Sequence, residues 1–113
     1  MCRFQTLYYD NNHGYVVQCA ECSHIQAAFG NVSLTFLRGE FDEFCRFISG
    51  LPLPDPPPDC CAYYKSMVVP LPCQGIQLLL SRAELEQLTG MLDKAESELR
   101  AQDLFNLFNA GQS

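Results

Sequence analysis

The spacing of apolar positions changes along the chain, and each change predicts the boundary of an element. Residues 3–9 (RFQTLYY) and 14–18 (GYVVQ) are rich in β-branched and aromatic side chains and flank Asp10-Asn11-Asn12-His13, a cluster with turn chemistry. This predicts a β-hairpin. Residues 24–29 (HIQAAF) and 32–37 (VSLTFL) flank Gly30-Asn31, a dipeptide that tolerates the positive φ of a tight turn, and predict a second hairpin. From Gly39 the period becomes helical, with Phe41, Phe44, Phe47 and Ile48 on one side, and Gly50 followed by Leu-Pro stops the helix.

Residues 51–59 (LPLPDPPPD) hold five prolines in nine positions, which excludes helix and central strand and predicts a stiff connector. Strands are expected at 63–69 and 75–80, followed by a helix opened by Ser81, with Glu84 placed to complete a capping box. Leu85, Leu88, Leu92, Ala95 and Leu99 give that helix one apolar stripe to about residue 102. After it, 104–111 (LFNLFNAG) is too apolar for a free tail and shifts phase. It is expected either to fold back on the sheet or to dock on another chain.

The two halves align without gaps at an offset of 44, VSLTFLRGEFDEFCRFI (32–48) on IQLLLSRAELEQLTGML (76–92), with Leu34, Arg38 and Glu40 on Leu78, Arg82 and Glu84. The expected fold is therefore α+β: a two-layer sandwich from a duplicated ββα unit, its antiparallel sheet carrying both helices on one face, plus the N-terminal hairpin. One domain over 1–113 is expected, with halves 1–50 and 60–113 joined by the connector 51–59.

With 113 residues, 48% of them hydrophobic, the chain can build a real core. Thirteen acidic against seven scattered basic residues give a net charge of −6, which argues against nucleic acid or an anionic membrane as partner. The start reads as lacking a secretory signal, and no window is apolar enough to cross a membrane by helix. A reducing cytoplasm is the expected compartment, where cysteine spacing points to metal, redox chemistry or packing before disulfides.

Seven cysteines are the abnormal feature of this composition. Cys19-Ala20-Glu21-Cys22 at a strand end can fold as a knuckle whose two thiolates reach one ion. Cys2, at the start of the strand paired with 14–18, is the expected third ligand of a structural zinc. The fourth is open among His13, His24, Cys60 and Cys61. The competing readings are buried packing of the thiols and a thiol-based redox or catalytic pair, Cys19 and Cys22. The redox reading wants a helix after the motif, and a strand-like run follows instead. Cys45 reads as core or flank, Cys73 lies between turn residues, and Glu40, Asp42, Glu43, Glu84 and Glu86 are explained as first-turn carboxylates facing a helix dipole.

GYVVQCAECSHIQAAFGNVSLTF (14–36), followed by Glu40-Phe41 and preceded by Cys2, resembles a family of small bacterial proteins classed as a domain of unknown function. The resemblance is densest over 2–48 and singles out Cys2, Cys19, Cys22, Gly30 and Asn31. It implies a bacterial cytosolic protein and no activity, substrate or cofactor. The expected function is a non-enzymatic binding or adaptor module with a structural zinc knuckle, forming a homodimer or meeting a protein partner through 104–111.

Overall fold

A computed structural model describes residues 3–52 and 65–110. Alternation of apolar and polar residues, punctuated by tight turns, produces four consecutive strands: β1 (Phe4–Asp10), β2 (Gly14–Cys19), β3 (Ile25–Phe29) and β4 (Val32–Phe36). They pair in sequence order as an antiparallel meander. Asp10 fixes the first turn, its Oδ1 accepting from the N–H groups of Asn12 (2.8 Å) and His13 (3.2 Å). Those donated hydrogen bonds, that from Asn12 first, hold its carboxyl below the ordinary range. Gly30, at φ 58°, supplies the left-handed residue of the turn between β3 and β4.

Helix α1 (Arg38–Ser49) follows, and a separate hairpin of β5 (Lys65–Pro70) and β6 (Gln77–Ser81) leads into α2 (Arg82–Ala110). The expectation of one sheet is corrected here: among the described residues, six strands form a four-stranded and a two-stranded sheet. Pro70 ends β5 without an N–H to offer a further strand. The proline connector lies outside the described residues.

The two helices start alike. Glu40 Oε1 accepts from the Leu37 N–H (2.8 Å), and Glu84 Oε1 accepts from the Ser81 N–H (3.0 Å). Arg38 pairs with Asp42 (3.6 Å), and Arg82 with Glu86 (3.5 Å). Only the second start is complete, because Ser81 Oγ accepts in return from the Glu84 N–H (3.1 Å) whereas Leu37 has no side-chain acceptor.

The inward stripe of the meander, formed by Leu7, Val16, Ile25, Ala27, Phe29 and Phe36, joins Phe41, Phe44, Cys45 and Ile48 of α1 in one core. Phe36 joins the meander to α1, its ring 5.0 Å from Phe44 and 5.9 Å from Phe41. Leu85, Leu88, Met91, Leu92, Ala95 and Leu99 of α2 complete that core with Val69 and Leu80 of the small sheet. Helix α2 thus packs on β1, β2 and α1 as well as on β5 and β6. Arg38 and Asp103 close the α1–α2 contact with a two-point pair at 2.7 and 3.3 Å.

Beyond Asp103 the structure departs from the expected helix end near residue 102. The helix runs to Ala110, because helical spacing continues through Leu104, Phe105, Leu107 and Phe108 and no Gly or Pro occurs between residues 103 and 110. It does not fold back: these four side chains are 64–72% exposed.

Candidate functional site

Strand β2 carries Val16 into the core, so Cys19, an odd number of residues further on, points to the other face of the sheet. The register agrees. Phe4 is paired with Cys19, and Val17 pairs with Gln26, which pairs with Thr35. Phe4, Gln26 and Thr35 line a pocket of about 200 Å³ together with Cys19, Cys22 and His24. Cys19 is 2% exposed yet stands outside the hydrophobic core. Its burial is made by the turn that follows it.

That turn is tightly built. Cys19 N–H donates to the His24 carbonyl (2.9 Å) and Ser23 N–H to the Cys19 carbonyl (3.0 Å), while the Cys22 N–H points at Cys19 Sγ (3.4 Å). A backbone N–H directed at the first sulfur of the CxxC fixes where that sulfur stands relative to the turn. The chain escapes the turn through Ser23, at φ 65° the single non-glycine residue with positive φ among the described residues. Side chains resist this region, so the turn holds Ser23 there against local preference. His24 then places Nδ1 3.1 Å from Cys22 Sγ.

The N-terminal strand is fastened to the same turn. The Arg3 carbonyl accepts from the Ala20 N–H (2.7 Å), and Glu21 accepts from the Arg3 N–H (2.8 Å) and from Arg3 Nε (3.1 Å). Those donors, the Arg3 N–H first, hold the Glu21 carboxyl below the usual carboxylate range. Glu21 Oε2, the oxygen that accepts from the Arg3 N–H, also lies 3.7 Å from Cys19 Sγ.

Of the sequence-predicted ligands, Cys19, Cys22 and His24 share this pocket. Cys2, Cys60 and Cys61 lie outside the described residues. His13 stands in the β1–β2 turn, at the opposite end of β2, where its carbonyl accepts from the Gly30 N–H (3.0 Å). Six residues of strand separate it from the knuckle, roughly 17 Å or more at strand rise. Among the described residues no three His, Cys, Asp or Glu side chains are gathered as a metal-holding group. No helix begins at the CxxC either; β3 starts at Ile25. The helix dipole that lowers a redox thiol pKa is therefore missing.

Cys45 is core, as its helical position predicts, and burial pushes its thiol up to about 12. Cys73 is exposed and lines a groove of about 590 Å³ between β4, α1 and the β5–β6 turn. Sequence reasoning missed Ser23, Glu21 and Arg3 as parts of the knuckle. The odd spacing of Val16 and Cys19 was the available signal for the outer-face pocket.

A four-stranded meander with a cysteine turn on its outer face, a two-stranded sheet and two helices define a small α+β protein. The chain belongs to a Family of unknown function (DUF6686), whose model matches residues 1–108. Neither the curated proteins nor the solved structures provide a match. No helix among the described residues is long and apolar enough to cross a membrane.

Proposed function

We propose that the chain is a non-enzymatic binding or adaptor module of the cytoplasm whose N-terminal strand is locked to the β2–β3 turn by a structural zinc. Cys19, Cys22 and His24 supply three ligands and Cys2 the fourth. The observation that carries this reading is the knuckle itself: an N–H aimed at the first sulfur, a strained Ser23 and an imidazole beside the second sulfur. Thiolate and imidazole donors are the set that zinc takes in closed tetrahedral sites. Cys2 directly precedes Arg3 in the sequence, and the Arg3 N–H and carbonyl are both bonded to the turn. Four protein ligands leave no position for a reactive water, so the ion contributes folding energy and not chemistry.

The same reading includes a duplicated ββα unit arranged as a two-layer sandwich. Arg82 stands 44 residues after Arg38, and the two helix starts repeat the same Glu-to-backbone bond and the same Arg-to-acid pair. Strand β5 begins 40 residues after β3, and the turn of residues 71–76, four residues longer than Gly30-Asn31, makes up the difference.

The test is metal analysis of protein purified without a metal-affinity tag, with thiol titration before and after chelation. About one zinc per chain is expected, lost in Cys2→Ser, Cys19→Ser and Cys22→Ser, with a lower unfolding midpoint in each. Metal-free protein in which Cys19 and Cys22 interconvert with a disulfide would refute the zinc and favour thiol redox chemistry.

A further inference from the structure

Helix α2 carries two apolar stripes on opposite faces. At about 100° per residue, Leu85, Leu88, Leu92, Ala95 and Leu99 cluster on one side, and Leu104, Phe105, Leu107 and Phe108 cluster about 170° away. Asp103 lies on the body side and is held by Arg38 at 2.7 Å, which fixes the rotation of the helix just before the second stripe begins. The domain's own core therefore cannot reach residues 104–108, and the helix extends as an arm of a molecule 60 Å long and 26 Å across. Asn106 and Asn109 are weak helix formers, and a free helix end with no packing is marginal in water. Something must cover this arm.

We infer that a second copy of this chain covers it, the apolar ends of two α2 helices pairing antiparallel about a twofold axis near Asn106. Three observations favour a second copy. The patch is self-complementary, as a twofold interface must be, since antiparallel pairing sets Phe108 of one copy against Leu104 and Phe105 of the other. No charged residue occurs in 104–110, so two chains of net charge −6 can meet there without like charges opposing. The area is also sufficient. An aromatic side chain has roughly 150–250 Å² to bury, so four side chains about two-thirds exposed offer ~500 Å² per copy. Two copies bury ~1,000 Å², the lower bound for a specific interface, and a reversible dimer is expected.

The experiment is sedimentation equilibrium of the full chain over a concentration series to about 1 mM. The wild type should approach twice the protomer mass. The Leu107→Glu/Phe108→Glu variant should weaken the dimer at least about 100-fold, while its far-UV spectrum and melting midpoint match those of the wild type at a dilution where both are monomeric, because both side chains are exposed in the protomer. Mixing it with a Leu107→Lys/Phe108→Lys variant should restore a dimer. A wild type that stays at protomer mass throughout overturns the inference and assigns the patch to a different partner. A glutamate variant that dimerises like the wild type, or that unfolds, overturns the helix-end interface, as does a charge-paired mixture that remains monomeric.

Discussion

The start of α2 is the point at which one substitution separates geometry from charge. Ser81 is 1% exposed, and its Oγ accepts from the Glu84 N–H at 3.1 Å. Ser81→Ala leaves that N–H without an acceptor where water has little access. The lost cap costs about 1 kcal/mol and the stranded donor raises this to about 2 kcal/mol. Glu84→Gln is gentler, since the amide oxygen still accepts from the Ser81 N–H. It removes the charge that meets Lys65 and the positive end of the helix. An ion pair of this exposure contributes about 0.5 kcal/mol and the dipole a similar amount, so about 1 kcal/mol is expected at pH 7.

The pH dependence distinguishes the two variants. Lys65 first, and the Ser81 N–H next, hold the Glu84 carboxyl below its ordinary 4.5. The folded chain therefore binds this proton less readily than the unfolded chain. Its stabilisation is fully present above about pH 4.5 and disappears as pH falls through the lower folded value. Urea unfolding followed by circular dichroism at pH 7, 4 and 3 should show the Glu84→Gln deficit shrinking with acid and the Ser81→Ala deficit persisting. A glutamine deficit as large at pH 3 as at pH 7, or an alanine cost below about 0.3 kcal/mol, would refute the capping account.

Leu37→Ser supplies α1 with the half of the capping box it lacks at an exposed position, and should stabilise the chain by about 0.5–1 kcal/mol in the same urea assay. Cys45, with its thiol raised to about 12 and 4% exposed, should resist iodoacetamide at pH 8 while Cys73 is alkylated, as read by peptide mass mapping; equal labelling would contradict its burial. Gly14→Ala should cost about 3 kcal/mol or more in unfolding free energy, since φ is +150° and the added carbon would stand 1.8 Å from the Ala28 carbonyl oxygen.

Local periodicity made the elements legible. Alternation in 14–18 and 25–29 and helical spacing in 41–48 and 85–99 are properties of a few neighbouring residues, and turn chemistry at Asp10 and Gly30 marks where they stop. Division into two sheets was not legible, because it depends on which strand edges meet. The extension of α2 to Ala110 was missed for a related reason. A new apolar face reads as the end of a helix when it is sought as a continuation of the first stripe. At the site, CxxC and His24 could be read from spacing, but the opposite placement of His13 needed the direction of β2. Ser23 needed a dihedral angle that residue identity does not reveal.

Gly14 has a consequence for everything built on β2. Its backbone lies so close to Ala28 that no residue with a side chain fits there. Slipping β2 by one position against β3 would bring His13 or Tyr15 into that gap, and neither can enter it. The glycine acts as a key cut for a single notch. A slip would also turn every β2 side chain over, carrying Val16 out of the interior and Cys19 into it. The missing β-carbon at one end of the strand thereby decides, five residues away, that a sulfur lies under the β2–β3 turn on the outer face and not in the core.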